Sequence, residues 1–251
     1  MRAALVLLLL LAGCAGTGSN SSYDPNANTP ARASARIHTE LAGLYYQQAK
    51  LGVALNEVGL AMQAEANYPP AFNARGLIHM ALREDKEAEA DFQQSLKLEP
   101  NNSETHNNYG WFLCQRGRPA DSIQHFLFAL KNPLYTTPDL AYLNAGLCSL
   151  KAGNYQDATD YLQRALSLRP GMLQAMVGMA EVSFNQGAFH TAQRYFNEYR
   201  SKVDGLSAEH LLLAVRIERA LGNRGNAAAY ADELRHNYPD ATQTKLLDSL
   251  R

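Results

Sequence analysis

Asn107-Asn108-Tyr109-Gly110-Trp111-Phe112-Leu113-Cys114 runs on into Gln115-Arg116-Gly117-Arg118, and its Gly110 sets a register. Gly76 lies 34 residues before Gly110, and Gly146 lies 36 residues after it. Ala88, Ala158 and Ala192 follow Gly76, Gly146 and Ala180 by twelve residues each, and Pro100 and Pro170 each close a unit. A fixed period of this length marks stacked copies of one supersecondary unit rather than a single compact domain.

Units start at Ala35, Pro69, Ser103, Asp139, Leu173 and Ser207 or Ala208. Their spacing is that of tetratricopeptide repeats, each a hairpin of two helices. Offset four carries Phe72, Tyr142 and Met176, and offset twenty-four carries Phe92, Phe126, Leu162 and Phe196. Gly or Ala belongs at offsets eight and twenty because the two helices approach closely only where side chains are small. The large side chains then fill the space between units. Neither helix buries its apolar face alone, so neighbours must stack. Asp85 and Asp157 are expected to precede second helices, Gly117 and Gly153 to separate the helices of a hairpin, and Pro100 and Pro170 to end units. No stretch shows the alternation of a strand. The expected fold is all-α, a right-handed superhelical solenoid of about six such hairpins spanning residues 35–251. The sixth unit fits only after a shift of about one residue, as suits a terminal repeat that must meet water on one face.

Two further segments precede the repeats. Residues 1–13 read as a secretory signal: Arg2 supplies one charge, Ala3 to Leu11 an apolar run, and Leu11-Ala12-Gly13 a small-residue ending. Leu11-Ala12-Gly13-Cys14 resembles the lipobox of bacterial lipoproteins, whose cysteine carries the acyl chains, so Cys14 is the expected lipidation site. Each buried CH₂ contributes about 0.8 kcal/mol, so several acyl chains together hold a protein to a bilayer where one does not. Ala15 follows the cysteine, where the resemblance to Gram-negative lipoproteins implies an outer-membrane location with the body on the periplasmic face. Residues 14–34, rich in Gly, Ser, Asn, Thr and Pro, read as a lipidated flexible tether spanning about 25 Å.

Lys plus Arg number 23 against 24 Asp plus Glu, so no basic field exists for nucleic acid. Near neutrality also implies recognition through apolar contacts more than long-range steering. Seven histidines, at 38, 79, 106, 125, 190, 210 and 236, form no His-Glu-x-x-His and pair with no cysteine at metal-ligand spacing. No phosphate loop, dinucleotide fingerprint or Gly-x-Ser-x-Gly occurs. Catalytic residues, a metal site, cofactors and a small-molecule substrate are therefore not expected.

Recognition is expected on the groove lined by first-helix offsets two, five, nine, twelve and thirteen. The fourth unit places Leu140, Leu143, Leu147 and Leu150 there, and the third places Asn107, Trp111 and Cys114. This strip would take an amphipathic or extended peptide; alternatively Leu147 and Leu150 pack beneath neighbouring helices. Between Gly110 and Gly146 two extra residues fall in the loop Asn132-Pro133-Leu134-Tyr135-Thr136-Thr137-Pro138, where Leu134 and Tyr135 are either partner contacts or part of a tolerated surface insertion. Cys114 and Cys148 lie on adjacent first helices at offsets twelve and ten. They are either bridged or two buried thiols, since offsets two apart can separate the Cα atoms beyond the usual 4.4 to 6.8 Å.

The lipobox, the tether, six repeats, the Asn-Tyr-Gly-x-Phe-Leu segment, the Pro133-Leu134-Tyr135 loop and Leu211-Leu212-Leu213-Ala214-Val215-Arg216 together resemble the type IV pilus biogenesis and stability lipoproteins of the PilF/PilW family. That resemblance implies a pilotin: a non-enzymatic outer-membrane lipoprotein adaptor that binds the secretin subunit of the pilus exit pore. It would support secretin localisation and multimerisation and the stability of emerged fibres. Other lipidated helical-repeat proteins offer a second reading, a scaffold for outer-membrane β-barrel assembly or for activation of peptidoglycan synthases.

Overall fold

The computed structural model describes residues 28–249; the expected signal peptide and the lipidated Cys14 lie outside them. Among the described residues every regular element is a helix. Six first helices are α1 (Pro30–Gln47), α3 (Pro69–Leu82), α5 (Ser103–Gln115), α7 (Pro138–Lys151), α9 (Leu173–Asn185) and α11 (Ala208–Ala220). Their partners are α2 (Leu51–Ala64), α4 (Asp85–Leu98), α6 (Pro119–Ala129), α8 (Tyr155–Leu168), α10 (Phe189–Arg200) and α12 (Arg224–Asn237), and α13 (Thr242–Ser249) follows. First helices pack side by side along the chain, each second helix touches its own first helix and the next one, and the backbones of second helices stay farther apart, meeting through side chains such as Phe196 of α10 against Tyr230 of α12. The inner layer is thus continuous and the outer layer splayed, which curves the stack into a superhelical solenoid.

The small residues at offset eight make the close approach that their spacing predicts. An ideal Cβ on Gly76, Gly110 or Gly146 would lie 2.9, 2.8 or 2.6 Å from the side chain of Phe92, Phe126 or Leu162, respectively. Those three side chains are fully buried, so the glycine of each first helix is the socket for the large residue of its own second helix. In the first and fifth units, Ala42 and Ala180 stand at this offset, both fully buried.

A second register mark lies after every first helix. Ala49, Arg83, Gly117, Gly153, Gly187 and Gly222 all have φ between +57° and +79°. This left-handed residue satisfies the last carbonyls of the helix and turns the chain back. Proline stands at the first or second position of α1, α3, α6 and α7, where it costs no intrahelical hydrogen bond.

The starts of α1, α4 and α8 differ from expectation, whereas the sixth unit starts where its spacing placed it. The first helix begins at Pro30, so residues 30–34 are helical rather than tether. Thr29 caps them, its hydroxyl accepting from the Arg32 N–H at 3.1 Å, and the Arg32 side chain pairs with Glu65 at the end of α2. Asp85 and Asp157 do not precede their helices; both lie in the first turn of α4 and α8, where a carboxylate complements the helix dipole. The shifted sixth unit is fixed by Ser207, which caps α11 through the His210 N–H, and α13 closes the end by packing on α11 and α12 with Leu247 fully buried.

Candidate functional site

The first helices present a line of asparagine side chains to the inner face. Asn108 donates to Asn73 Oδ1 at 3.2 Å, joining α5 to α3, and Asn144 donates to Asn107 Oδ1 at 3.0 Å, joining α7 to α5. Asn73 and Asn107 are 6% and 7% exposed. Each amide carries more bonding capacity than one such contact uses, so the pairs fix the orientation of the groups while leaving donors and acceptors for an occupant.

Beside this line lies a hollow of about 500 Å³ whose walls include Glu104, Asn107, Asn108, Leu134, Tyr135 and Leu140. A second hollow, of about 420 Å³, runs toward the N-terminal units over Arg36, Thr39, Asn73 and Leu77, and shares Asn102 and Glu104 with the first. The inserted loop forms one wall of the larger hollow because Asn132 anchors it: its Oδ1 accepts from the Leu134 N–H at 2.9 Å and its Nδ2 donates to Ser103 Oγ at 3.3 Å. Leu134 consequently stands 84% exposed at the rim. Tyr135 turns inward; its hydroxyl is closed off from water, and burial pushes its pKa up.

The residues singled out by spacing thus divide. Asn107, Leu134, Tyr135 and Leu140 meet in one hollow. Leu143 is only 7% exposed, and Leu147 packs under α9, its Cδ2 occupying the space 3.1 Å from an ideal Gly178 Cβ. Leu150 is half-buried against the core of units four to six, and Trp111 against the cluster around Phe126 and Ala145. The groove floor is therefore amide and carboxylate more than leucine. Glu104, Asn73, Asn108 and Asn144 were not anticipated there. The asparagines' signal was their recurrence at offset five or six in units two, three and four, and that of Glu104 was its place at offset two, a groove-lining offset.

Cys114 and Cys148 are joined, with Cα atoms 5.9 Å apart. The offset difference is no obstacle because α5 and α7 meet through different faces. Asn107 and Cys114, seven residues apart, share one face of α5; Asn144 and Cys148, four apart, share one face of α7. Lys151 donates to the Cys114 carbonyl at 3.1 Å and ties the same two helices.

Partial desolvation pushes up the carboxyl pKa of Glu104, which stays exposed in the groove, and does the same to Glu181 on α9 against the opposing charge of Arg216. Behind the groove, His106 Nε2 lies 2.9 Å from the Pro100 carbonyl and must donate to it, so His106 Nδ1 accepts from His125 Nδ1 at 2.9 Å. Burial lowers both pKa values, that of His125 to about 4, so both rings are neutral at physiological pH. Among the described residues no group of three or more His, Cys, Asp or Glu side chains is placed to hold a metal ion.

Tetratricopeptide repeat models match residues 69–102, 92–124, 115–172 and 149–214. The crystal structure of PilW, described as a widely conserved type IV pilus biogenesis factor, superposes with a TM-score of 0.80 at 35% identity, covering 88% of this chain and 99% of that one. This chain belongs to the type IV pilus biogenesis tetratricopeptide family. Type IV pilus assembly protein PilF of Pseudomonas aeruginosa is 26% identical over 244 residues, 97% of this chain and 96% of that protein. A PilF structure from the same organism has a TM-score of 0.79 at 22% identity, covers 89% of this chain, and shows the shared fold. Among these pilus biogenesis proteins the solenoid extends over nearly the whole length of each partner in the comparison, so the hollow between α5, α7 and the inserted loop is part of a fold shared end to end.

Proposed function

We propose that this chain is a non-enzymatic, pilotin-like outer-membrane lipoprotein adaptor that binds the secretin of a type IV pilus. It supports secretin localisation and multimerisation and the stability of the pilus. The observation that carries this reading is membership of the type IV pilus biogenesis family at 35% identity over the solenoid. A groove lined by amides and a carboxylate, with an exposed leucine at its rim, suits a protein partner. Acyl chains on Cys14 would hold the domain at the periplasmic face of the outer membrane, with the segment before Pro30 setting its reach.

Deletion of the gene should abolish heat-resistant secretin multimers in membrane extracts and surface pili; normal amounts of both would refute the proposal. A Cys14→Ala form should lose outer-membrane fractionation and fail to restore either, while its solenoid melts at the wild-type temperature. Pulldown from detergent-solubilised membranes should recover the secretin. Recovery instead of β-barrel assembly proteins or peptidoglycan synthases would replace the pilus reading with the scaffold one.

A further inference from the structure

The larger hollow carries a charge its own fold leaves unanswered. Its charged wall residues are Glu99 and Glu104, and no lysine or arginine lines it. Glu99 accepts a hydrogen bond from Asn102 at 3.0 Å. Glu104 makes no ion pair or hydrogen bond to a side chain among the described residues, whereas eleven other charged residues of the first three units are paired across or along helices. The Glu104 side chain stands exposed in the concavity, so its charge is open to a cation that an occupant supplies.

The neighbouring amides add a second feature. Asn73 and Asn107 spend their Oδ1 atoms on the paired asparagines and keep their Nδ2 donors, whereas Asn108 and Asn144 spend Nδ2 and keep Oδ1. Donors and acceptors thus stand side by side in fixed orientation, the pattern that matches the N–H and C=O groups of an extended main chain. A helical occupant has none of these groups to offer along its length. Leu134 and Leu140 supply apolar wall on the other side of the hollow.

We propose that this hollow selects an extended partner segment bearing a lysine or arginine, with the segment's main chain on the asparagine side chains and its cation on Glu104. The proposal rests on the adaptor reading above and specifies which partner chemistry the site takes. Glu104 is its specificity-determining residue, and Leu134 contacts an apolar residue flanking the cation.

The test uses the purified full-length protein and immobilised degenerate dodecapeptides in three matched pools, with Lys, Gln or Glu fixed at the centre. The Lys pool should be retained at least tenfold over the Gln pool, and the Glu pool excluded. Glu104→Gln should remove the Lys-over-Gln preference while keeping the enrichment of apolar flanking residues; Leu134→Ser should do the reverse. N-methylation of the central three peptide bonds should abolish retention. Equal retention of the three pools, an unchanged Lys preference in Glu104→Gln of wild-type melting temperature, or indifference to N-methylation would each overturn the proposal. Because the pools contain no secretin sequence by design, a Lys preference without secretin capture refutes only the secretin reading. Secretin capture undiminished by Glu104→Gln refutes only this one.

Discussion

Glycine has opposite values at two kinds of position in this chain, and the difference is a matter of ångströms. A methyl group on Gly146 would meet Leu162 Cγ at 2.6 Å and the Leu162 backbone nitrogen at 3.1 Å. The side chain can swing but the backbone cannot, so Gly146→Ala should destabilise by about 1–3 kcal/mol through overpacking. Gly59, inside α2, has nothing within 4 Å of the same atom, and Gly59→Ala should stabilise by about 0.5–1 kcal/mol by removing backbone entropy from the unfolded chain. Thermal melts of the two variants should therefore move in opposite directions. The left-handed turn supplies the converse case. Ala49 holds φ +57° where four other units have glycine, and Ala49→Gly should raise stability by about 0.5–1 kcal/mol, because the left-handed conformation costs a side-chain-bearing residue about 1–2 kcal/mol and glycine's extra unfolded-state entropy returns part of it.

Pairs of helices carry properties that neither has alone, and the contact of α5 with α6 through His106 and His125 is one. Both rings are neutral in the fold, with His125 held down to about 4. An unfolded histidine titrates near 6.5, so below that pH the unfolded chain takes up protons that the folded chain refuses. Stability present at neutral pH is accordingly lost as the pH falls from about 6.5 toward about 4, and the melting temperature should drop over that window. His125→Gln should flatten the drop, whatever it does to the melting temperature at pH 7. The hairpins were legible from sequence because the demand for a small residue at offset eight is local: Gly110 must face Phe126 of its own unit. The His106–His125 pair and the pairing of the asparagines were not, and the packing of Leu147 on α9 was one of two open readings, because each depends on how one helix is rotated against its neighbour. Spacing names the offset and leaves the rotation open. The first turn of α1 was missed for a different reason: its Ala-, Ser- and Arg-rich composition looks like tether until Thr29 caps it and Arg32 meets Glu65.

For the molecule as a whole, stability in a solenoid is a sum of unit terms and nearest-neighbour interfaces, with no long-range contact to spread a local loss. The core follows that rule. One apolar cluster runs through units four to six, a separate one occupies the first unit and the start of the second, and smaller ones around Phe92 and Phe126 lie between. The Cys114–Cys148 bridge joins the third and fourth units where the clusters are smallest, and it closes a loop of 34 residues. Reduction should cost about 2–4 kcal/mol, and the nearest-neighbour character of the fold says where that loss appears. Hydrogen exchange should rise in α5 to α8 after reduction while α1, α2 and α11 to α13 keep their protection. A Cys114→Ala, Cys148→Ala double variant should reproduce the reduced pattern under oxidising conditions. The same bridge sits on the face of α5 that carries Asn107 and the face of α7 that carries Asn144, so loosening it also frees Asn107, which lines the hollow, from its partner Asn144. Retention of the Lys-centred peptide pool should fall on reduction even at temperatures where the far-ultraviolet helix signal is unchanged. Loss of peptide binding only in step with global unfolding would mean that the bridge serves stability alone, and that the hollow keeps its shape without it.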